Sequence, residues 1–300
     1  MSKKILITGA TGFIGRYCLK LLKDSSFEIH AATRQEREDN EIFWHKCNLL
    51  EKGSAVRLIR LVRPSYLLHL AWNAEPNVFW STPENLQWLS ASLELLQAFA
   101  EHGGHRVVIT GTCAEYDWRF GWCSEDITPL NPGTLYGTCK NALQDILSSY
   151  SHETAISTAW GRIFFIFGPH EHPARLISSV TLSLLRGQIA ACSQGNQVRD
   201  FLHVADVASA LVTLTTSDLQ GPINIASGRG ISVREMVINI GTSLDRLDLI
   251  QFGKVPNSPT EPPLLIADTR RLNDELGWQP SETFQQRIKE TIDWWKLQFS

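Results

Sequence analysis

This chain has no CxxC pair, no internal repeat, no low-complexity tract and no apolar run approaching the ~20 residues of a membrane span. Each absence closes a class. Six cysteines (Cys18, Cys47, Cys113, Cys123, Cys139 and Cys192) are scattered over 300 residues, a pattern of reduced thiols rather than of a disulfide framework. No motif points to a bound metal. Charge of one sign is also lacking. Against 31 Asp and Glu stand 28 Lys and Arg, and the net charge of −3 gathers neither nucleic acid nor an acidic membrane. The lead Met1-Ser2-Lys3-Lys4 is too short for a signal peptide. The expectation is a soluble cytoplasmic protein that handles a small molecule.

What is present is a β-α rhythm. The apolar run Lys4–Thr8 ends in glycine, which suits a buried parallel strand. Over residues 13–23, Ile14, Tyr17, Cys18, Leu21 and Leu22 follow helical spacing. Strands are then predicted at 27–33, 66–70, 106–110 and within 157–167. Helices are predicted at 55–63, stopped by Pro64, at 83–102 and at 135–150. Such alternation builds a parallel sheet with helices on both faces. Beyond Gly168-Pro169 the rhythm breaks into helices at 174–186 and 204–216. A capping box at Ser232–Glu235 opens another helix, 256–263 is a proline-rich surface loop, and a last amphipathic helix runs from Thr283 to Trp295. The fold class is therefore α/β, with a Rossmann-type doubly wound parallel sheet over 1–167. A smaller C-terminal cap follows over 168–300, some of its segments returning to the sheet. Among ten tryptophans, Trp72, Trp80, Trp118 and Trp122 follow predicted strand ends, where such folds place ligands. They are core and lid packing, or one or two of them line a pocket for a planar or sugar ring.

Gly9-Ala10-Thr11-Gly12-Phe13-Ile14-Gly15 joins the first strand to the first helix. Gly9 permits the tight turn, Gly12 lets the backbone approach a pyrophosphate, and Gly15 lets the helix close on the sheet. The amides that open the helix then face phosphates, so Thr11, Phe13 and Ile14 belong to the cradle. At the end of the second strand stands Ala32-Thr33-Arg34, with no carboxylate before Glu36 to bind the ribose hydroxyls of NAD. The Arg34 guanidinium suits a 2′-phosphate. NADP(H) is thus expected ahead of NAD(H), unless Arg34 is a plain solvated arginine.

Tyr136-Gly137-Thr138-Cys139-Lys140 places a phenol and an ammonium at i and i+4, on one helix face. A cation beside a phenol favours the phenolate. Such a tyrosine can pass a proton to or from a sugar hydroxyl while hydride moves at the same carbon. Lys140 can also hold the nicotinamide ribose. Thr112, just past the predicted strand 106–110, can hold the reacting oxygen in line with Tyr136. Thr112, Tyr136 and Lys140 are the expected catalytic set.

These residues resemble the extended short-chain dehydrogenase/reductase family, which contains nucleotide-sugar epimerases, dehydratases and 4-ketoreductases. The resemblance spans nearly the whole chain. Residues 8–15 look like its cofactor loop, and His69-Leu70-Ala71 resembles its third-strand motif, placing Ala71 at the cofactor. Asn48-Leu49 takes the place of an Asp that touches adenine in the family. Residues 112–116 resemble its Ser/Thr-x-x-x-Tyr segment. Gly168-Pro169 and residues 199–206 resemble its substrate-domain signatures, and by that analogy Arg199 would grip a substrate diphosphate. Ala267-Asp268-Thr269 and Leu276-Gly277-Trp278 resemble its C-terminal pattern. The resemblance implies a substrate-binding cap and a homodimer formed through the helices that begin at Pro83 and Leu135.

Departures narrow the chemistry. The family's 4,6-dehydratases carry Asp-Glu directly after the catalytic threonine, where this chain has Cys113 and Ala114. Its 3,5-epimerases place a cysteine two residues after the Ser/Thr and a histidine past the Gly-Pro. Here Cys113 is one position early, Arg175 stands in the place of that histidine, and His170 reads as a structural loop residue. The expected substrate contacts are Thr112, Cys113, Arg175 and Arg199. Phe165 replaces a common substrate-binding Asn, and no arginine follows the start of the 256–263 loop. What remains is hydride chemistry at one carbon. The leading expectation is reduction of a 4-keto nucleotide sugar with exchanging NADP(H). A 4-epimerase with tightly held cofactor is the alternative. A reductase of another carbonyl compound and a non-catalytic cofactor-binding protein stand behind it.

Overall fold

The computed structural model describes residues 3–154, 156–256 and 261–299. Its main sheet holds β1 (Lys4–Thr8), β2 (Glu28–Thr33), β3 (Ile42–Lys46), β4 (Tyr66–His69), β5 (Arg106–Thr112) and the strands Ser157–Ile163 and Gly221–Ile225. All seven run parallel, in the order 221–225, 157–163, β5, β4, β1, β2, β3. Helices α1 (Gly15–Lys23), α2 (Ser54–Val62), α3 (Glu84–Glu101) and α4 (Leu135–Thr154) connect the first half. The reason for the layering lies in β1, where successive side chains point to opposite faces. Ile5 and Ile7 join Cys18 and Leu22 of α1 and Val207 and Leu211 of the helix Val204–Thr216. Leu6 joins Ile59 of α2, Leu95 and Phe99 of α3 and Leu143 of α4. Both faces are covered, so Ile5, Leu6 and Ile7 are apolar in succession.

The second sheet is smaller: Gly230–Ser232, Val198–His203, Leu264–Ala267 and Trp122–Cys123, with Phe165–Phe167 paired beside Val198–His203. Helices Leu176–Leu185, Val233–Leu244 and Phe284–Phe299 pack on one another around Ile177, Leu184, Met236, Ile240 and Ile292. The chain passes back and forth between the sheets: Trp122–Cys123 lies in the small one, whereas the later Gly221–Ile225 lies in the large one. The Ser232 hydroxyl accepts from Glu235 N, and Thr283 and Gln286 bond reciprocally, as their capping patterns predict.

Several elements differ from expectation. Thr112 closes β5 rather than following it. The helix after the glycine loop starts at Gly15, two residues later than its apolar spacing implies. Several strands do not show in the sequence pattern. In β3 Ile42 is buried while Phe43 is exposed, a short alternation on an edge. Gly221–Ile225 opens Gly-Pro, which only an edge strand tolerates. Val198–His203 and Leu264–Ala267 belong to the small sheet. All six cysteines are free. No helix among the described residues is long and apolar enough to cross a membrane. Part of the expected 256–263 loop, residues 257–260, lies outside the described residues.

Candidate active site

The glycine loop lies at the carboxyl end of β1, where parallel strands present their ligands. Gly9 has φ +69°, and a Cβ there would come within 2.8 Å of Ala71 N. A Cβ on Gly15 would lie 2.2 Å from Gly9 O, so only glycine lets α1 approach its own turn. At Gly12 only Gly9 O is near, at 3.1 Å, and Thr11 and Gly12 face solvent. The outer side of the loop is open backbone backed by a helix start, which fits a dinucleotide pyrophosphate. Phe13 and Ile14 are half-buried just before α1, and Ile14 O accepts Tyr17 N and Cys18 N.

The ends of the neighbouring strands frame the adenosine side. Exposed Arg34 lines a cavity of about 550 Å³ with Trp44, His45, Asn48, Ser54 and Arg57. Asn48 accepts from Leu50 N and donates to Glu51, while Leu49 is buried beneath it. A second cavity of about 400 Å³ beside Thr11 is lined by Arg16, Lys20, Arg37 and the same Trp44. The Arg37 guanidinium lies 5.4 Å from the Trp44 ring. Arg16 and Arg37 carry no motif signal, because neither stands at the strand end.

Ala71 N donates to Thr8 Oγ1, and His69 bridges Thr8 Oγ1 at 2.6 Å and Ser92 Oγ at 2.9 Å. Burial and the nearby Lys140 pull the His69 pKa down to about 3, so the ring is neutral. Lys140 is 2% exposed and donates to Thr110 O at 2.8 Å, with its ammonium 4.0 Å from the centre of the Trp72 ring. Burial lowers its pKa to about 7, and Glu115 acts in the opposite direction. One turn earlier, the Tyr136 ring is boxed by Phe79 at 5.0 Å, Trp80 at 5.9 Å and Trp72 at 6.3 Å, all edge-on. Burial pushes the phenol above its ordinary range, while a hydrogen bond with Thr112 and the charge of Arg175 pull it back. This reverses the direction expected from a neighbouring cation: desolvation is the largest influence on the half-buried phenol, and Lys140 is not among the groups that pull it down.

Thr112 is fixed by a tight turn. Its Oγ1 accepts Ala114 N, and its own N–H donates to Glu115 Oε1 at 2.7 Å. Glu115 is fully buried and also receives Trp160 Nε1 and, at 2.7 Å, Arg162 Nε. Arg162 continues to the Tyr116 hydroxyl, which donates to Asn224 Oδ1 at 2.8 Å. Glu115 bonds Thr112 yet is unmarked in the sequence, since it falls on an unspecified position of the Ser/Thr-x-x-x-Tyr pattern.

The expected substrate contacts fall around this centre. Arg175 donates to Ala74 O, and its guanidinium lies 5.3 Å from the Phe79 ring, within electrostatic reach of Tyr136. Cys113 is buried, and that burial pushes its thiol pKa up, which disfavours the thiolate. Arg199 is 2% exposed, paired with Glu261 at 2.8 Å and stacked 5.3 Å from the Phe165 ring. Phe165 therefore supports the arginine instead of offering an amide. His170 sits at φ +71° with its ring 4.5 Å from that of Trp294, a packing role. Trp118 meets Trp80 edge-on, whereas Trp122 is exposed in its short strand.

Comparison with known proteins agrees with this geometry. Residues 5–226 match the NAD dependent epimerase/dehydratase family. UDP-glucuronic acid decarboxylase 1 of Danio rerio is 24% identical, with 97% of this chain and 72% of that protein covered. The dTDP-glucose 4,6-dehydratase of Salmonella typhimurium is also 24% identical, over 97% of this chain and 92% of its own. The crystal structure of Thermus thermophilus UDP-glucose 4-epimerase in complex with NAD shares the fold, with a TM-score of 0.86 at 24% identity and coverage of 98% and 99%. A sheet with this strand order, this glycine turn and a match over residues 5–226 make the chain an enzyme of the NAD-dependent epimerase/dehydratase family, among the extended short-chain dehydrogenase/reductase enzymes of nucleotide sugars.

Proposed function

We propose that this enzyme reduces a nucleotide-linked 4-keto sugar with NADP(H), using Tyr136 as the proton donor. The observation that carries the reading is the state of Glu115. The carboxylate nearest the threonine is fully buried and already bonded to Thr112 N, Trp160 and Arg162. Elimination needs a free acid and base beside the sugar, and this carboxylate is neither. Proton transfer at a single oxygen needs only Tyr136, with Thr112 to hold that oxygen.

The glycine loop, Arg34, Asn48, Leu49, Ala71 and Lys140 would hold the cofactor, which when bound supplies the hydride. Thr112 orients the carbonyl oxygen, and Tyr136 delivers the proton that completes the alcohol. Lys140 favours the phenolate left behind and anchors the ribose. Arg199 grips the diphosphate once Glu261 yields it. On α3 and α4, Leu86 and Ile146 remain exposed, which supports pairing of two copies through these helices.

The preference for a 2′-phosphate rests on Arg34, Arg16 and Arg37, which line two cavities that meet at Trp44. Arg34→Ala is expected to weaken NADPH binding about 10- to 100-fold, the worth of one charge-assisted bond, and to leave NADH binding unchanged. Titration of tryptophan emission quenched by reduced cofactor reads both constants. Equal loss for the two cofactors would remove the 2′-phosphate assignment.

The direct assay offers NADPH and a panel of nucleotide-linked 4-keto-6-deoxy sugars and follows nicotinamide absorbance. Steady oxidation with one member is the expected result. If there is no oxidation while a nucleotide sugar is converted to its 4-epimer, the same site is a 4-epimerase.

A further inference from the structure

Asn85, the second residue of α3, is 1% exposed, and its amide is fully engaged. Its Oδ1 accepts Trp72 Nε1 at 2.8 Å, and its Nδ2 donates to Phe79 O at 2.8 Å and to Thr82 O at 2.9 Å. The two segments it fastens are those that frame the reacting groups. Trp72 lays its face on the Lys140 ammonium and meets the Tyr136 ring in a T-shaped contact. Phe79 and Trp80 close the other sides of the phenol, and Trp80 O accepts Tyr136 N at 3.1 Å. Between Trp72 and Phe79 the chain is surface: Ala74, Glu75, Asn77 and Val78 are exposed. Asn73 ties its start to Glu84 at 2.6 Å, but that bond reaches neither ring. Asn85 thus ties Trp72 to the 79–82 turn through the hydrogen bonds of one side chain.

We infer that Asn85 is a positioning residue that fixes the Lys140 ammonium and the Tyr136 phenol relative to each other through Trp72 and the 79–82 turn. The inference rests on the reading of Tyr136 and Lys140 as the catalytic pair. Only a side-chain amide meets these demands. Aspartate would set a carboxylate against two carbonyl oxygens, and leucine would leave an indole N–H and two carbonyls without partners.

The test follows Lys140 itself, by trace acetylation across pH and mass mapping of its peptide, with no sugar needed. The titratable groups that act on or feel Lys140 are Glu115 and His69. His69 is neutral throughout the range, and Glu115 is paired with Arg162. In the wild type, labelling should reach half its maximum near pH 7. In Asn85→Leu the midpoint should rise by about one pH unit or more, because a loosened Trp72 admits water to the ammonium. Trp72→Phe, which keeps a ring but loses the N–H held by Asn85, should move it the same way. With the substrate in hand, Asn85→Leu should also lower kcat by about tenfold or more. A folded Asn85→Leu protein with the wild-type midpoint would overturn the inference. If that variant does not fold, an unmoved midpoint in Trp72→Phe does so. A wild type that reduces no 4-keto sugar defeats the functional reading alone, since the titration still decides the role of Asn85.

Discussion

Tyr136→Phe is expected to lower turnover by about 10²–10⁴-fold, the range spanned by a positioned acid or base. The ring of Tyr136 is held by edge contacts with Phe79, Trp80 and Trp72 that a phenylalanine ring makes equally well. What disappears is the hydroxyl that faces Thr112. Cofactor affinity and melting temperature should therefore stay at wild-type values while the chemical step collapses. Single-turnover absorbance measurements beside a cofactor-binding titration separate the two. Wild-type turnover in the variant would show that another group moves the proton.

Lys140→Met is expected to abolish most turnover and yet stabilise the protein by about 1–3 kcal/mol at neutral and lower pH. The sign follows from proton linkage. In the folded state the Lys140 pKa is lowered to about 7 from an ordinary 10.5 by burial. Below about pH 7 the folded protein carries the full cost of a dry ammonium, and that cost is relieved as pH rises from 7 toward 10.5. A gap of this size corresponds to a few kcal/mol, less about 1 kcal/mol for the bond to Thr110 O. Methionine fills the space without charge. Thermal melts on either side of neutrality test the claim: the advantage of the variant should shrink as pH rises. A variant less stable than the wild type at acidic pH would contradict it. Such a trade of stability for activity is common where a site stores an unfavourable charge.

Some of this was legible in the residues and some was not, for physical reasons. β1, α1 and the glycine turn announce themselves because apolar period and glycine geometry act locally. Tyr136 and Lys140 share a helix face by spacing alone. Val198–His203 hides its strand nature because it buries charge. Arg199 is satisfied by Glu261 and Phe165, while Asp200 accepts bonds from Ser227, Gly228 and Ala267. No local pattern carries partners that distant. Asn85 is harder still. An asparagine at a helix start reads as an ordinary capping residue, and only the folded chain brings Trp72, Phe79 and Thr82 to its amide. The upward shift of the Tyr136 pKa was equally out of reach, because spacing reports neighbours and not the exclusion of water.

The position of Gly221–Ile225 sets the order in which the molecule can be completed during synthesis. Until residue 225 has left the ribosome, the strand Ser157–Ile163 is a bare margin of the large sheet, with the groups that later bond residues 221–225 unpaired. Its core neighbours Ala159 and Ile163 have no cover until Leu211, Ile223 and Ile225 arrive. The first half of the sheet is thus expected to emerge with an unpaired strand edge that a segment encoded nearly sixty residues after Ile163 must cover.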